Sequence, residues 1–340
     1  MNVEGTILRG RGFEPVEGRV VCEDGEIVAI EEEAVETEHI VVPAFVNAHT
    51  HVGDSIAKEA GAGLTLEELV APPDGLKHRL LRSASNEQLE AAMTRTLRYM
   101  ERTGTGTFID FREGGVPGVE SLRSAAADLA IEAIAMGRDD PQVIEIADGY
   151  GASGAADGEF GRERSATAAA GKPFGIHAGE VDPGDINPAL DLDPDFLVHM
   201  VHARNVHLER VADSGTPVVV CPRSNLTTGV GTPPVEALLE HTTVALGTDN
   251  VMIHGPSMFR EMAVLDAITD VPPPTIFGMA TWAGGELLGT GVGELAPGHP
   301  AKLLVLDGDS DNLAGAQDYV QAIVRRADPS DVASVHLCPT

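Results

Sequence analysis

His49 and His51 are separated by a single residue in Pro43-Ala-Phe-Val-Asn-Ala-His-Thr-His51. On an extended strand, side chains two apart share a face, so an apolar strand ending His-x-His aims two imidazoles into one space. Three further apolar runs end in similar residues. Phe174-Gly-Ile-His177 is followed at three residues by Glu180, Phe196-Leu-Val-His199 is followed by His202, and Val244-Ala-Leu-Gly-Thr leads into Asp249-Asn250. A lone histidine is ordinarily a satisfied core or surface group. Four runs that each place His or Asp at the same end point instead to a metal site.

Those ends meet only if the runs are parallel strands of one sheet. Between about residues 42 and 295, short apolar runs alternate with helical stretches. Strands are expected at 40–45, 106–111, 133–136, 174–177, 196–199, 218–221 and 244–247. The plainest helix is Asn86–Arg102, with Leu89, Met93, Leu97 and Met100 on one stripe, Ser85 as N-cap and Gly104 as terminator. This α/β rhythm predicts a (β/α)8 TIM-like barrel, in which all C-terminal strand ends converge at one rim. No glycine-rich dinucleotide fingerprint follows an early strand, which speaks against an open doubly wound sheet. Residues 2–9, 18–22, 27–31, 302–307 and 320–324 read as strands at the chain ends. They predict a small β-sandwich domain built from 1–41 plus 296–340, around a barrel spanning 42–295. The segment 139–170, rich in Gly, Ala and charge, resists placement.

Composition narrows the function. The 340 residues carry 23 Lys+Arg against 53 Asp+Glu, a formal charge of −30. Such a surface repels phosphate backbones and anionic membranes, so neither nucleic acid nor membrane is an expected partner. One Trp, 3 Tyr and 9 Phe make no base-stacking platform. The N-terminus lacks a basic stretch followed by an apolar one, so no signal peptide is expected. Three widely spaced cysteines, Cys22, Cys221 and Cys338, suit free thiols in a reducing cytoplasm. Only Lys58, Lys77, Lys172 and Lys302 are lysines. Excess carboxylate with scarce lysine resembles proteins of halophilic archaea.

The motifs Pro-Ala-Phe-Val-Asn-Ala-His-Thr-His, His-Ala-Gly-Glu, Val-His-Met-Val-His, Cys-Pro-Arg-Ser-Asn and Leu-Gly-Thr-Asp-Asn occur in that order. With the tail from Gly293 to Asp307, they make the chain resemble the amidohydrolase superfamily. Within it, the closest likeness is to the mononuclear deaminase branch of cytosine, adenosine and chlorohydrolase-like enzymes. The resemblance implies that His49, His51, His177 and Asp249 bind one divalent metal, Zn²⁺ or else Fe²⁺. The metal would lower the pKa of a bound water and make hydroxide available near neutral pH. Glu180 would then protonate a ring nitrogen. His199 would orient or deprotonate the water, and Asp249 would pass a proton to departing ammonia. Binuclear branches use a bridging carboxylated lysine, but no lysine lies between Lys77 and Lys172.

Asp54, Glu113, Arg223, Asn225 and Asn250 lie just past expected strand ends and are the candidate substrate contacts. Asn250 stands where adenosine deaminases carry a second Asp, which argues against adenosine itself. His202 and His207 are expected at structural or rim positions. The implied activity is hydrolytic deamination of a nucleobase-like or other cyclic amidine, an aminohydrolase reaction on a small molecule. The alternatives are another C–N or C–Cl hydrolase of the superfamily, or a noncatalytic metal-binding barrel. Oligomeric state, including a homo-oligomer, is left open.

Overall fold

The computed structural model describes residues 1–70 and 74–338. Two sheets organise them. Strands β1 (Asn2–Arg9), β2 (Glu14–Glu23), β3 (Glu26–Glu32), β4 (His39–Pro43), β14 (Lys302–Asp307) and β15 (Val332–Leu337) form one six-stranded sheet in the order β15-β14-β4-β1-β2-β3. The two chain ends thus share a single sheet, where a β-sandwich was expected. Side-chain alternation explains its two faces. Val41, Leu303 and Val305 pack with Val3, Ile7, Val20 and Ile27, while Ile40, Val42, Leu304 and Leu306 join the core that continues under the barrel.

One correction concerns 320–324. These residues form the helix Tyr319–Arg325, not a strand. Asp318 caps it by accepting from the Gln321 amide at 2.9 Å. Its buried Val320, Ile323 and Val324 follow a helical spacing, and they pack against the helices Met258–Ile268 and Pro273–Met279.

The second sheet holds β5 (Phe45–His51), β6 (Thr105–Arg112), β7 (Glu132–Gly137), β8 (Gly149–Gly154), β9 (Phe174–Ala178), β10 (Phe196–His199), β11 (Val218–Val220), β12 (Val244–Leu246) and β13 (Asp249–Asn250). Neighbours are parallel throughout. β12 and β13 belong to one run of chain. β12 pairs with β11 and β13 pairs with β5, so the sheet curls round until its last strand meets its first. Between them the Gly247 amide donates to Val220 O at 3.0 Å and the Thr248 amide to His49 O at 3.1 Å. The Asn47 side chain clasps the same seam, donating to Thr248 Oγ1 at 2.8 Å and accepting from the Thr248 amide at 3.0 Å.

The HxH strand begins later than expected. β4 ends at Pro43 in the outer sheet, and the chain passes through Ala44 into β5. The helix Asn86–Arg102 forms over its expected span, with a capping box between Ser85 and Gln88. β8 lies inside the segment that resisted placement. Its sequence, GYGASG, shows no periodicity because its glycines yield space to neighbours. A Cβ on Gly151 would lie 2.5 Å from the Phe111 ring, and one on Gly149 would lie 2.5 Å from Met136 sulfur. Among the described residues no helix is long and apolar enough to cross a membrane.

The seam allows no extra atoms. A Cβ on Gly247 would sit 2.8 Å from both Cβ and backbone N of His49. Gly247→Ala is therefore expected to destabilise the protein by about 1–3 kcal/mol through overpacking. Denaturant unfolding of the variant beside the parent measures this, and an unchanged midpoint would show that the seam is slack.

Candidate metal centre and active site

Four strands of the barrel deliver their residues to the same rim. His49 and His51 end β5, His177 lies near the end of β9, His199 ends β10, and Asp249 opens β13. His49 Nε2 is 3.3 Å from both His177 Nε2 and Asp249 Oδ1, and His51 Nε2 is 3.6 Å from the same Asp249 oxygen. In each of the sets His49–His51–Asp249, His49–His177–His199 and Glu180–His199–Asp249, the donor atoms lie within 4.8 Å of one another. His199 and Asp249 have left-handed backbone, with φ of +79° and +57°. Such conformations are uncommon for non-glycine residues and turn these side chains out of the strand direction.

Tautomers follow from the outward nitrogens. His177 Nδ1 lies 2.8 Å from the Ala152 carbonyl, and His51 Nδ1 lies 3.1 Å from the Phe111 carbonyl. A carbonyl only accepts, so Nδ1 carries the proton in both rings and Nε2 presents a lone pair. Burial pushes His49 and His177 below the ordinary imidazole range and His51 down to about 3, so all three rings are neutral at pH 7. Burial works against ionised Asp249. Its hydrogen bond with His49 and the surrounding imidazoles outweigh that and hold it well below the usual carboxylate range. Neutral nitrogens and one carboxylate oxygen facing a common space are the donor set a divalent ion requires, so these residues fit such an ion.

Glu180 and His199 lie beside this set, with His199 Nε2 3.6 Å from Glu180 Oε2. Burial raises Glu180, the direction a proton donor needs near neutral pH. Ser224 Oγ donates to Asp249 Oδ2, leaving Oδ1 toward the histidines.

All five candidate substrate residues have protein partners here. Asp54 Oδ2 lies 3.1 Å from Lys77 Nζ, and Glu113 Oε1 lies 2.6 Å from the same nitrogen. Arg223 Nη1 reaches Gly255 O, Ser257 O and Glu261. The Asn225 amide lies 3.2 Å from His199 Nδ1, and Asn250 Oδ1 accepts from the Met252 amide at 2.8 Å. His207 Nδ1 accepts from the Arg204 amide at 3.1 Å at a helix start, a structural position.

Several residues at the site escaped sequence reasoning. Lys77 comes from the helix Leu76–Ser83, yet its side chain is buried between two carboxylates. Its rarity, one of four lysines, was the available signal. Asp110, on β6, accepts from Thr50 Oγ1 at 2.9 Å and from the Val52 amide at 2.6 Å, which pins the backbone around His51. Glu261, fully buried, accepts from the Arg223 amide at 2.8 Å and holds the first turn of the helix Pro222–Thr228 that follows β11.

The rim arrangement and closed parallel sheet define a metal-dependent hydrolase barrel. The chain matches the amidohydrolase family over residues 40–173 and 163–335, and it belongs to that family. A Methanothermobacter thermautotrophicus protein, provisionally named an aminohydrolase, is 37% identical over 374 residues, covering 96% of this chain and 95% of that one. A Halobacterium salinarum 5-methylthioadenosine/S-adenosylhomocysteine deaminase is 28% identical over 375 residues, covering 91% and 84%. The zinc-bound structure of an adenosine deaminase from Xanthomonas campestris superposes with a TM-score of 0.81 at 19% identity, covering 99% and 91%, a likeness of fold.

Glu261 makes a pH prediction. Burial, only partly offset by Arg223, raises it from an ordinary 4.5 to about 7. A carboxyl raised in the folded state contributes stability that is full below its unfolded pKa and is lost as pH climbs through its folded pKa. The stability of the wild type relative to Glu261→Gln should therefore fall from about pH 4.5 to about pH 7 and level off above that. Denaturant midpoints across that range check it, and parallel curves would contradict it.

Proposed function

We propose that this amidohydrolase deaminates a cyclic amidine, with His49, His51, His177 and Asp249 holding one divalent ion. Such an ion supplies Lewis acidity and makes water more acidic. Zinc suits the nitrogen-rich donor set best, with ferrous iron the alternative. The single-ion reading is supported by β7 and β8. Neither carries a lysine, and Glu132, the one acidic residue on them, starts β7 at the far end, where it pairs with Lys302.

The observation that carries the proposal is the Glu180–His199 pair beside the donor set, since a purely structural ion site needs neither residue. Glu180, its pKa raised by burial, donates a proton to a ring nitrogen and makes the adjacent carbon electrophilic. His199, whose Nδ1 accepts from the Asn225 amide nitrogen, carries its proton on Nε2 and orients the attacking water through it, while the water's proton passes to the Asp249 carboxylate. Asp249, steadied by Ser224, relays a proton to the leaving ammonia. Arg223, Asn225 and Asn250 shape the mouth around the substrate, while Asp54 and Glu113, buried against Lys77, support it from behind. The deaminase name of the Halobacterium relative favours a purine nucleoside altered at its 5′ position as the class to try first. The charge of −30 with only four lysines supports a halophilic setting, and three widely spaced cysteines support a cytoplasmic one. The division into a β unit of 1–41 plus 296–340 and a barrel of 42–295 is supported by the separate sheets.

Ammonia release by zinc-loaded protein in molar KCl tests the activity. The panel comprises cytosine, guanine, adenine, their nucleosides and 5′-altered adenosines, with a chelated control. Release from one compound, abolished by chelation, is expected, whereas silence with zinc bound would redirect the reading to another C–N or C–Cl bond. Glu180→Gln should keep its zinc and lose turnover by at least about 100-fold, the scale of general acid catalysis. His177→Ala should lose zinc and turnover together, and stoichiometric zinc in that variant would remove His177 from the ligand set.

A further inference from the structure

We propose that Glu113 is a positioning residue for the ion site, fixing His51 through its outward nitrogen and strengthening it as a donor. This inference rests on the metal reading above. His51 turns Nε2 toward Asp249, and its Nδ1 lies 3.0 Å from Glu113 Oε1 as well as 3.1 Å from the Phe111 carbonyl. Both partners demand the proton on Nδ1. A carboxylate adds what a carbonyl lacks, a negative charge that makes the ring more basic at its other nitrogen.

The surroundings of Glu113 are built to hold that carboxylate still. It is 4% exposed. Oε2 is 3.3 Å from Arg112 Nη2, while Oε1 is 2.6 Å from Lys77 Nζ and 3.6 Å from Arg138 Nη1. Arg112 is itself fixed, its Nε donating to the Glu113 backbone carbonyl at 3.0 Å. Its guanidinium occupies the space a side chain would take at Gly53, where a Cβ would fall 1.8 Å from Nη1. Gly53 lies two residues beyond His51, so the chain that carries the histidine also makes room for the arginine. The three cations come from three elements: the helix Leu76–Ser83, β6 and the residue after β7. Burying that many charges is a poor route to stability alone. Together they fix the orientation of one carboxylate, and the group it faces is His51.

The test uses full-length protein stripped of metal and reloaded. Zinc affinity is read by chelator competition, and the visible spectrum is recorded for the cobalt(II) form. Glu113→Gln is expected to bind zinc about 10- to 100-fold more weakly, the usual cost of losing such a carboxylate, and to alter the cobalt bands. Unchanged affinity with an unchanged spectrum would overturn the proposal. Because this variant leaves Lys77 without its closest carboxylate oxygen, the double variant Lys77→Met with Glu113→Gln removes the cation too. It should remain as weak as the single variant. Wild-type affinity in the double variant would show that Glu113 only neutralises Lys77, and would also overturn the proposal. Wild-type protein that takes up no stoichiometric zinc would instead overturn the metal reading, and this inference with it.

Discussion

A two-residue parallel pairing, Asp249 against Thr50 and Asn250 against His51, joins the last strand of the barrel to the first. It does two things at once. It closes the ring, and it sets the Asp249 carboxylate against the imidazoles of His49 and His51. Loosening the seam at Gly247, Thr248 or Asn47 would open the barrel and separate the donors in one movement. Stability and chemistry therefore share one constraint in this fold.

The site is largely buried, and that decides its protonation. Buried imidazoles are expensive to charge, so the three histidines facing the carboxylate are neutral, and His51 and His177 turn their Nε2 lone pairs inward. The same burial raises the pKa of Glu180. One physical effect thus prepares donors for a cation and an acid for the substrate, with sign set only by the chemistry of each group. The exposed acidic surface acts elsewhere, on solubility and salt response, and is separated from these groups by the barrel wall.

The residues that meet at the rim were legible in the sequence because a strand is short and its end is marked. Four apolar runs finishing in His or Asp define a rim before any coordinates exist. The barrel was legible from the alternation of such runs with helices. What could not be read had specific causes. β8 is glycine-rich because Phe111 and Met136 occupy the space its side chains would fill, so its own sequence carries no pattern. Residues 320–324 look like a strand because apolar residues at helical spacing are ambiguous over five positions, and tertiary packing decides. The ion cluster round Glu113 was invisible because Lys77 and Arg138 come from distant segments.

X-ray absorption at the zinc edge of the loaded protein addresses the central claim most directly, because it reads the donors themselves. The account predicts a low-coordinate site with about three imidazole nitrogens at about 2.0–2.1 Å, oxygen as the remaining scatterer and no sulfur. A sulfur shell near about 2.3 Å, or only one imidazole, would place the ion elsewhere and contradict the convergence of His49, His51, His177 and Asp249 on a single ion.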